Sequence, residues 1–283
     1  MGTQKKIHLF CEGLRQINRP IFYKINFRAK TIARLGPDFM RYMKENGLIN
    51  IFIGLESGNN DTLRLFNKKT TMETNLLATD ILQKVSIPFR NGFIMFHPYS
   101  TLKEYKNNIG FINCIHQGYR LGNYLEMFLL YKGCDLYTKV KKDNLITDDY
   151  TIKNLYGYTF QDPQISCLYN IFQTVLKTHR TTTYMGVKFI ERCDVLDDMI
   201  AKLDILSQGE NFDLRQQFIN IKTKVNEEYY QYFDMVYNFV NSKKDCEICY
   251  TPISKRTLLD GIADLDALTL YIENKLAIYP SFL

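Results

Sequence analysis

Apolar and polar positions alternate between two kinds of run in the first half of the chain. In residues 5–19, Ile7, Phe10, Leu14 and Ile17 recur at steps of three and four, the spacing of one helical face. After the Arg19-Pro20 break, the apolar and aromatic run at 21–27 predicts a strand. Gly36-Pro37-Asp38 opens a helix to about Asn46, which Gly47 closes. Residues 49–54 are apolar but for Asn50 and end in glycine, which reads as a fully buried strand of a parallel sheet. Residues 72–84 predict an amphipathic helix, with Thr70 or Thr71 as its cap and Glu73 in its first turn. A strand at 87–96 ends in His97-Pro98, a helix follows at 101–117, and a fourth strand at 124–131 ends in Lys132-Gly133-Cys134. This order predicts parallel strands joined by right-handed crossovers.

Past residue 154 the alternation stops and the pattern is helical. The clearest stretch is 214–240, where Leu214, Phe218, Ile221, Val225, Tyr229, Tyr232, Val236 and Phe239 mark one packing face. A boundary near 159–163 divides the chain into a part spanning 1–160 and a helical region spanning 161–283.

Composition narrows the class without naming it. The 283 residues carry a net charge of +6 spread over the whole length. The basic run Lys139-Val140-Lys141-Lys142 is short and reads as a solvated face, so a nucleic-acid partner is not expected. No apolar run approaches a membrane span, so no membrane association is expected, and Met1-Gly2-Thr3 lacks the apolar stretch of a signal peptide. Seven irregularly spaced cysteines argue against a disulfide framework and for a reducing, cytoplasmic compartment.

The candidate chemistry lies at the end of the 49–54 run, in Gly54-Leu55-Glu56-Ser57-Gly58. The carboxyl ends of parallel strands are where α/β folds bind ligands. Four further segments accompany it: Asn26-Phe27-Arg28-Ala29-Lys30, Leu63 to Lys68 followed by threonine, the segment from Gly92 to Glu104, and Lys132-Gly133-Cys134-Asp135-Leu136-Tyr137. In this order they resemble the carboxyl-terminal part of a radical S-adenosylmethionine (radical SAM) enzyme, of the group associated with a cobalamin-binding domain. The resemblance covers about residues 5 to 153. It implies an α/β fold, a partial (β/α)6 TIM-like barrel of about four parallel strands, followed by the helical tail. It also implies S-adenosylmethionine bound across the strand ends, beside Arg28, Gly54, Glu56, Ser57, Ile94 and His97. A carboxylate there accepts hydrogen bonds from an ammonium or from hydroxyls. Arg28 is read with equal weight as a ligand contact or as the partner of Glu56 in an ion pair closing the barrel mouth.

The chain departs from the pattern at several places. Lys30 stands for an aspartate, Phe96 for a glycine, Lys132 for a proline and Cys134 for a threonine. No Cys-x3-Cys-x2-Cys occurs anywhere, so the four-iron, four-sulfur cluster of the family has no ligand loop here. Cluster loop and cobalamin domain are expected upstream of Met1 or in a companion subunit. Cys246-Glu247-Ile248-Cys249 is a weak metal candidate without a second pair or a nearby histidine. Two functions follow. One is part of a radical SAM enzyme acting by reductive cofactor cleavage, with methyl transfer as an extension; the substrate and the catalytic residues are not readable. The other is a non-catalytic, degenerate subunit serving as a binding or scaffold protein. Because four strands of a six-stranded barrel leave open edges, the chain alone is expected to be poorly soluble or to associate.

Overall fold

The computed structural model describes residues 2–17, 19–209, 211–242 and 254–279. Helix α1 (Gly2–Arg15) leads into strand β1 (Tyr23–Arg28). Helix α2 (Ala29–Glu45) is one helix with a kink, because Gly36 takes φ 75° and Pro37 starts the second segment. Strand β2 (Leu48–Glu56) follows, then the short helix α3 (Asn60–Leu65) and helix α4 (Met72–Lys84). Strand β3 (Phe89–Phe93) and helix α5 (Leu102–Cys114) complete the alternating part. Side-chain oxygens of Asn59, Thr71 and Thr101 cap α3, α4 and α5, and Glu104 closes a capping box on α5.

The architecture is α/β, with an open three-stranded parallel sheet in the order β1-β2-β3. Three strands stand where four were expected. Leu121–Tyr124 forms a 3-10 turn, and the 124–131 segment adds only the parallel bridge between Phe96 and Met127. The reason lies in packing: Tyr124 is fully buried and stacks on Phe233, ring centroids 4.0 Å apart. Its apolar surface is used against a tail helix rather than in a strand ladder.

Register fixes the two faces of the sheet. Ile25, Phe27, Ile51, Ile53, Phe89 and Phe93 share one face and join the core under α2, α4 and α5. The opposite face carries Lys24, Asn26, Arg28, Asn50, Phe52, Gly54, Arg90 and Gly92. Parallel sheets are usually apolar on both faces, and this one is not.

A long tail helix explains the exception. After α6 (Asp135–Lys142), helices α7 (Pro163–Thr178), α8 (Arg180–Ser207), α9 (Phe212–Ser242) and α10 (Lys255–Leu276) fill the second half of the chain. Acidic residues of α8 meet the polar face. Asp198 pairs with Lys24 (2.5 Å) and accepts from Asn50 (3.0 Å); Asp194 pairs with Arg90 (3.2 Å) and Arg120 (2.7 Å). Asp204, with only 2% of its side chain exposed, pairs with Lys44 of α2 (3.4 Å) and Arg215 of α9 and accepts from the Asn211 main chain (3.0 Å). Toward β1 the cover ends: Asn26 and Arg28 are exposed, and Phe52 is 44% exposed on the sheet face. Among the described residues no helix is long and apolar enough to cross a membrane.

Candidate functional site

The site is built on the turn that ends β2. Glu56 has φ 64°, the left-handed region that non-glycine residues rarely occupy. The Ser57 main-chain N–H donates to Leu55 O (2.8 Å), so Leu55-Glu56-Ser57 is a tight γ-turn with positive φ at its centre, a strained form. Two buried asparagines clamp it. Asn75 of α4 donates to Leu55 O (2.8 Å) and Ser57 O (3.4 Å). Asn108 of α5 accepts from the Gly58 main chain (2.8 Å) and from the Ser57 hydroxyl (3.0 Å). On the β3 side, the Ile94 N–H donates to Glu56 O (2.8 Å) where the ladder skips a residue. The bulge aims the Glu56 side chain across the strand ends.

The carboxylate lies over a gap in the sheet. Arg28, Gly54 and Gly92 occupy one row across the three strands. A Cβ on Gly54 would stand 2.9 Å from Glu56 Oε1, and one on Gly92 would stand 3.1 Å from the Phe52 ring and 4.0 Å from Oε2. The two glycines thus make room for the Glu56 carboxylate and the Phe52 ring. Lys68, on the loop after α3, holds Oε1 at 2.8 Å. A cavity of about 560 Å³ opens beside this point, lined by Glu56, Asn91, Gly92, Ile94, Arg120 and Glu126 among others. Arg120 is spent on Asp194 and Gln117, and Asn91 on Asn123. Partial burial raises the pKa of the Glu126 carboxyl above its ordinary value.

The structure brings some of the expected residues together and separates others. Glu56 and Ile94 meet at the cavity, and Gly54 lies behind the Glu56 carboxylate, outside the lining. Arg28 lies one strand away on the same sheet face and makes no ion pair with Glu56; Lys68 takes that place. Ser57 is fully buried and turned to Asn108, away from the cavity. His97 is buried too. Its Nδ1 accepts from the Tyr99 N–H (3.3 Å), its ring meets the edge of Phe66, and Nε2 lies 3.8 Å from Glu104 Oε1, beyond hydrogen-bond reach. Burial pushes the Glu104 carboxyl up, but the adjacent His97, the Thr62 hydroxyl and the Thr101 N–H outweigh it and hold its pKa low. Cys246 and Cys249 lie outside the described residues. Among the described residues no three His, Cys, Asp or Glu side chains gather as a metal site.

Sequence reasoning passed over Asn75 and Asn108 and read Lys68 only as part of a motif. The signal for the asparagines was present: each is a polar residue on the inward face of an amphipathic helix.

No family model matches the sequence. A 4'-phospho-dehydrooxetanocin synthase of Priestia megaterium is 32% identical over 124 residues, which are 39% of this chain and 16% of that protein. Among solved structures, the chain resembles the cobalamin-dependent S-adenosylmethionine radical enzyme OxsB with aqua-cobalamin bound, with a TM-score of 0.58 at 17% identity. The form with aqua-cobalamin and S-adenosylmethionine bound gives a TM-score of 0.56 at 16% identity. Both alignments cover 97% of this chain and 45% of the other. The chain thus shares the fold of part of that larger protein, tail helices included, and spans under half its length.

Proposed function

We propose that this chain is the part of a cobalamin-dependent radical SAM enzyme that presents the cofactor-facing strand ends. The observation that carries the reading is the Glu56 carboxylate, held by a strained turn over the Gly54–Gly92 gap at the carboxyl ends of parallel strands. The glycines at 54 and 92 make room for the Glu56 carboxylate and the Phe52 ring, and the exposed Arg28 guanidinium stands in the same row. Glu56 Oε2 would accept hydrogen bonds from the bound cofactor, the Gly54 and Gly92 backbones would allow its close approach, and Ile94 would line its apolar side. Arg28 would meet its carboxylate. S-adenosylmethionine, bound beside a reduced four-iron, four-sulfur cluster, supplies radical chemistry. No residue here fits the cluster, since the sequence lacks Cys-x3-Cys-x2-Cys. Cluster and cobalamin are therefore assigned to other polypeptide, whose strands would add at the free edge of β1 and complete a partial (β/α)6 barrel. Residues 1–160 would form the cofactor-facing part and residues 161–283 its helical cover. Seven irregularly spaced cysteines suit a reducing, cytoplasmic setting.

The test uses the full chain assembled with a polypeptide from the same source that carries the cluster motif. Equilibrium dialysis is expected to show S-adenosylmethionine binding, and Glu56→Gln to weaken it about tenfold or more, the loss of one charge-assisted hydrogen bond. Equal binding by wild type and variant would refute the assignment of Glu56. A second reading, a non-catalytic binding or scaffold subunit, draws on Phe96, which fills the glycine position of the pattern and is packed among Tyr105, Phe160, Tyr169 and Phe172. Failure of the wild-type assembly to bind S-adenosylmethionine would select that reading.

A further inference from the structure

Helices α9 and α10 pack against each other and leave a cleft along their seam. It consists of two hollows, of about 1020 and 250 Å³, which share Ile221 and Asp264 and so run into each other. On α9 the lining extends from Phe212 to Gln231, about 30 Å at the helical rise. Buried Leu214 and Leu268 line it, and Phe212 and Tyr271 stand 69% and 49% exposed toward one end. None of these residues lines the cavity at Glu56.

The cleft has a sign of its own. Among the described residues, five acidic and two basic side chains line it, on a chain whose net charge is +6. Two of the acids serve the fold: Glu228 accepts from the Thr257 hydroxyl (2.5 Å) and the Ser254 N–H (3.2 Å), and Asp260 pairs with Arg256 (3.6 Å). Asp213 suits the dipole in the first turn of α9. Glu227 and Asp264 make no ion pair or side-chain hydrogen bond among the described residues. Asp264 stands one turn from Asp260, a spacing at which like charges repel. Stability does not account for it.

An apolar seam with a negative rim complements a helix that is apolar on one side and basic on the other. Two copies of this chain joined through the same cleft about a twofold axis would set acid against acid. We propose that the α9–α10 cleft docks a basic amphipathic helix of a partner protein, about 20 residues long to match the cleft. The apolar side of that helix covers Phe212 and Tyr271, and its lysines or arginines meet Glu227 and Asp264.

Fluorescence anisotropy of the full chain with two labelled peptides tests this. One is a helix of about 20 residues with leucine on one face and lysine on the other; the second has glutamate for lysine. The lysine peptide is expected to bind saturably, more weakly as salt rises, and at least about tenfold tighter than the glutamate peptide. Glu227→Lys with Asp264→Lys should weaken the lysine peptide about tenfold and strengthen the glutamate peptide, an exchange that a misfolded cleft does not produce. Phe212→Ala should weaken the lysine peptide by about threefold or more. The same reversal of two exposed charges elsewhere, Asp38→Lys with Asp61→Lys, should leave both peptides unchanged. No saturable binding of the lysine peptide, equal binding of the two peptides, or an equal loss from the reversal at 38 and 61 overturns the proposal. Self-association of the chain in sedimentation, abolished by Phe212→Ala, would make a second copy the occupant and overturn it as well.

Discussion

Removing the Asp204 carboxylate should loosen the tail helices from the rest of the fold. Asp204 ties α8 to Lys44 on α2 and to Arg215 and Asn211 at the start of α9. Lys44 and Arg215 expose 10% and 16% of their side chains, so Asp204→Ala removes the buried carboxylate that Arg215 pairs with and one of the partners of Lys44, which also donates to Val85 O (3.3 Å). Breaking a buried pair from one side costs ~3–5 kcal/mol. Asp204→Asn keeps one acceptor oxygen and should cost about 1.5–3 kcal/mol, the difference a charged hydrogen bond makes. Burial raises the Asp204 carboxyl, but Arg215 and Asn211 more than offset this and hold its pKa below the usual carboxylate range. A group with a depressed folded pKa stabilises the fold above its unfolded pKa, near ~4, and this contribution is lost as pH falls through the folded value. Urea unfolding followed by circular dichroism across a pH series reads both effects. The wild type should lose stability as pH falls below ~4, and Asp204→Asn should show a shallower fall. A cost under ~1 kcal/mol for Asp204→Ala, with the acid slope unchanged, would refute the argument.

Four other outcomes are expected. Asn108→Ala strands the buried Gly58 N–H and Ser57 hydroxyl and should cost about 2–5 kcal/mol in urea unfolding. Ser57→Ala removes one of these donors but also the acceptor of the Asn59 N–H (3.1 Å), and should cost about 1–3 kcal/mol. Phe233→Ala empties the space between Tyr124 and Phe172 and should cost about 3–5 kcal/mol, read as a lower urea midpoint with unchanged slope. Gly58→Ala puts a Cβ 2.4 Å from Phe111 Cβ, so α5 must shift, and a loss of ~1–3 kcal/mol should appear in thermal melts.

The first three strands were legible for different reasons: β1 alternates apolar and polar residues after the Arg19-Pro20 break, β2 is an apolar run ended by glycine, and β3 lies in an apolar-rich stretch that ends at His97-Pro98. The expected fourth was not a strand, because the aromatic residue that made it look like one, Tyr124, finds a better partner in Phe233. Nothing local marks that choice, since the two rings lie far apart in the sequence. The acidic residues of α8 read equally well as a solvated face; only tertiary placement sets Asp194 and Asp198 against the basic side chains of the sheet. At the site, the position of Glu56 followed from the strand end, but its left-handed backbone did not, because a glutamate carries no sign of one. The roles foreseen for Ser57 and His97 assumed that strand-end polar residues point outward, and both are turned into the protein instead.

The tight turn at Glu56 also shapes how this position can change over generations. Glycine, asparagine and aspartate enter the left-handed region most easily. None of them delivers a carboxylate to the same point: glycine and asparagine lack it, and aspartate is one methylene too short. Selection for thermal stability alone would therefore drift away from glutamate here, and selection for ligand contact would pull it back. On the proposed reading of Glu56, chains that no longer bind the ligand should be recognisable by glycine or asparagine at position 56 on an otherwise intact sheet.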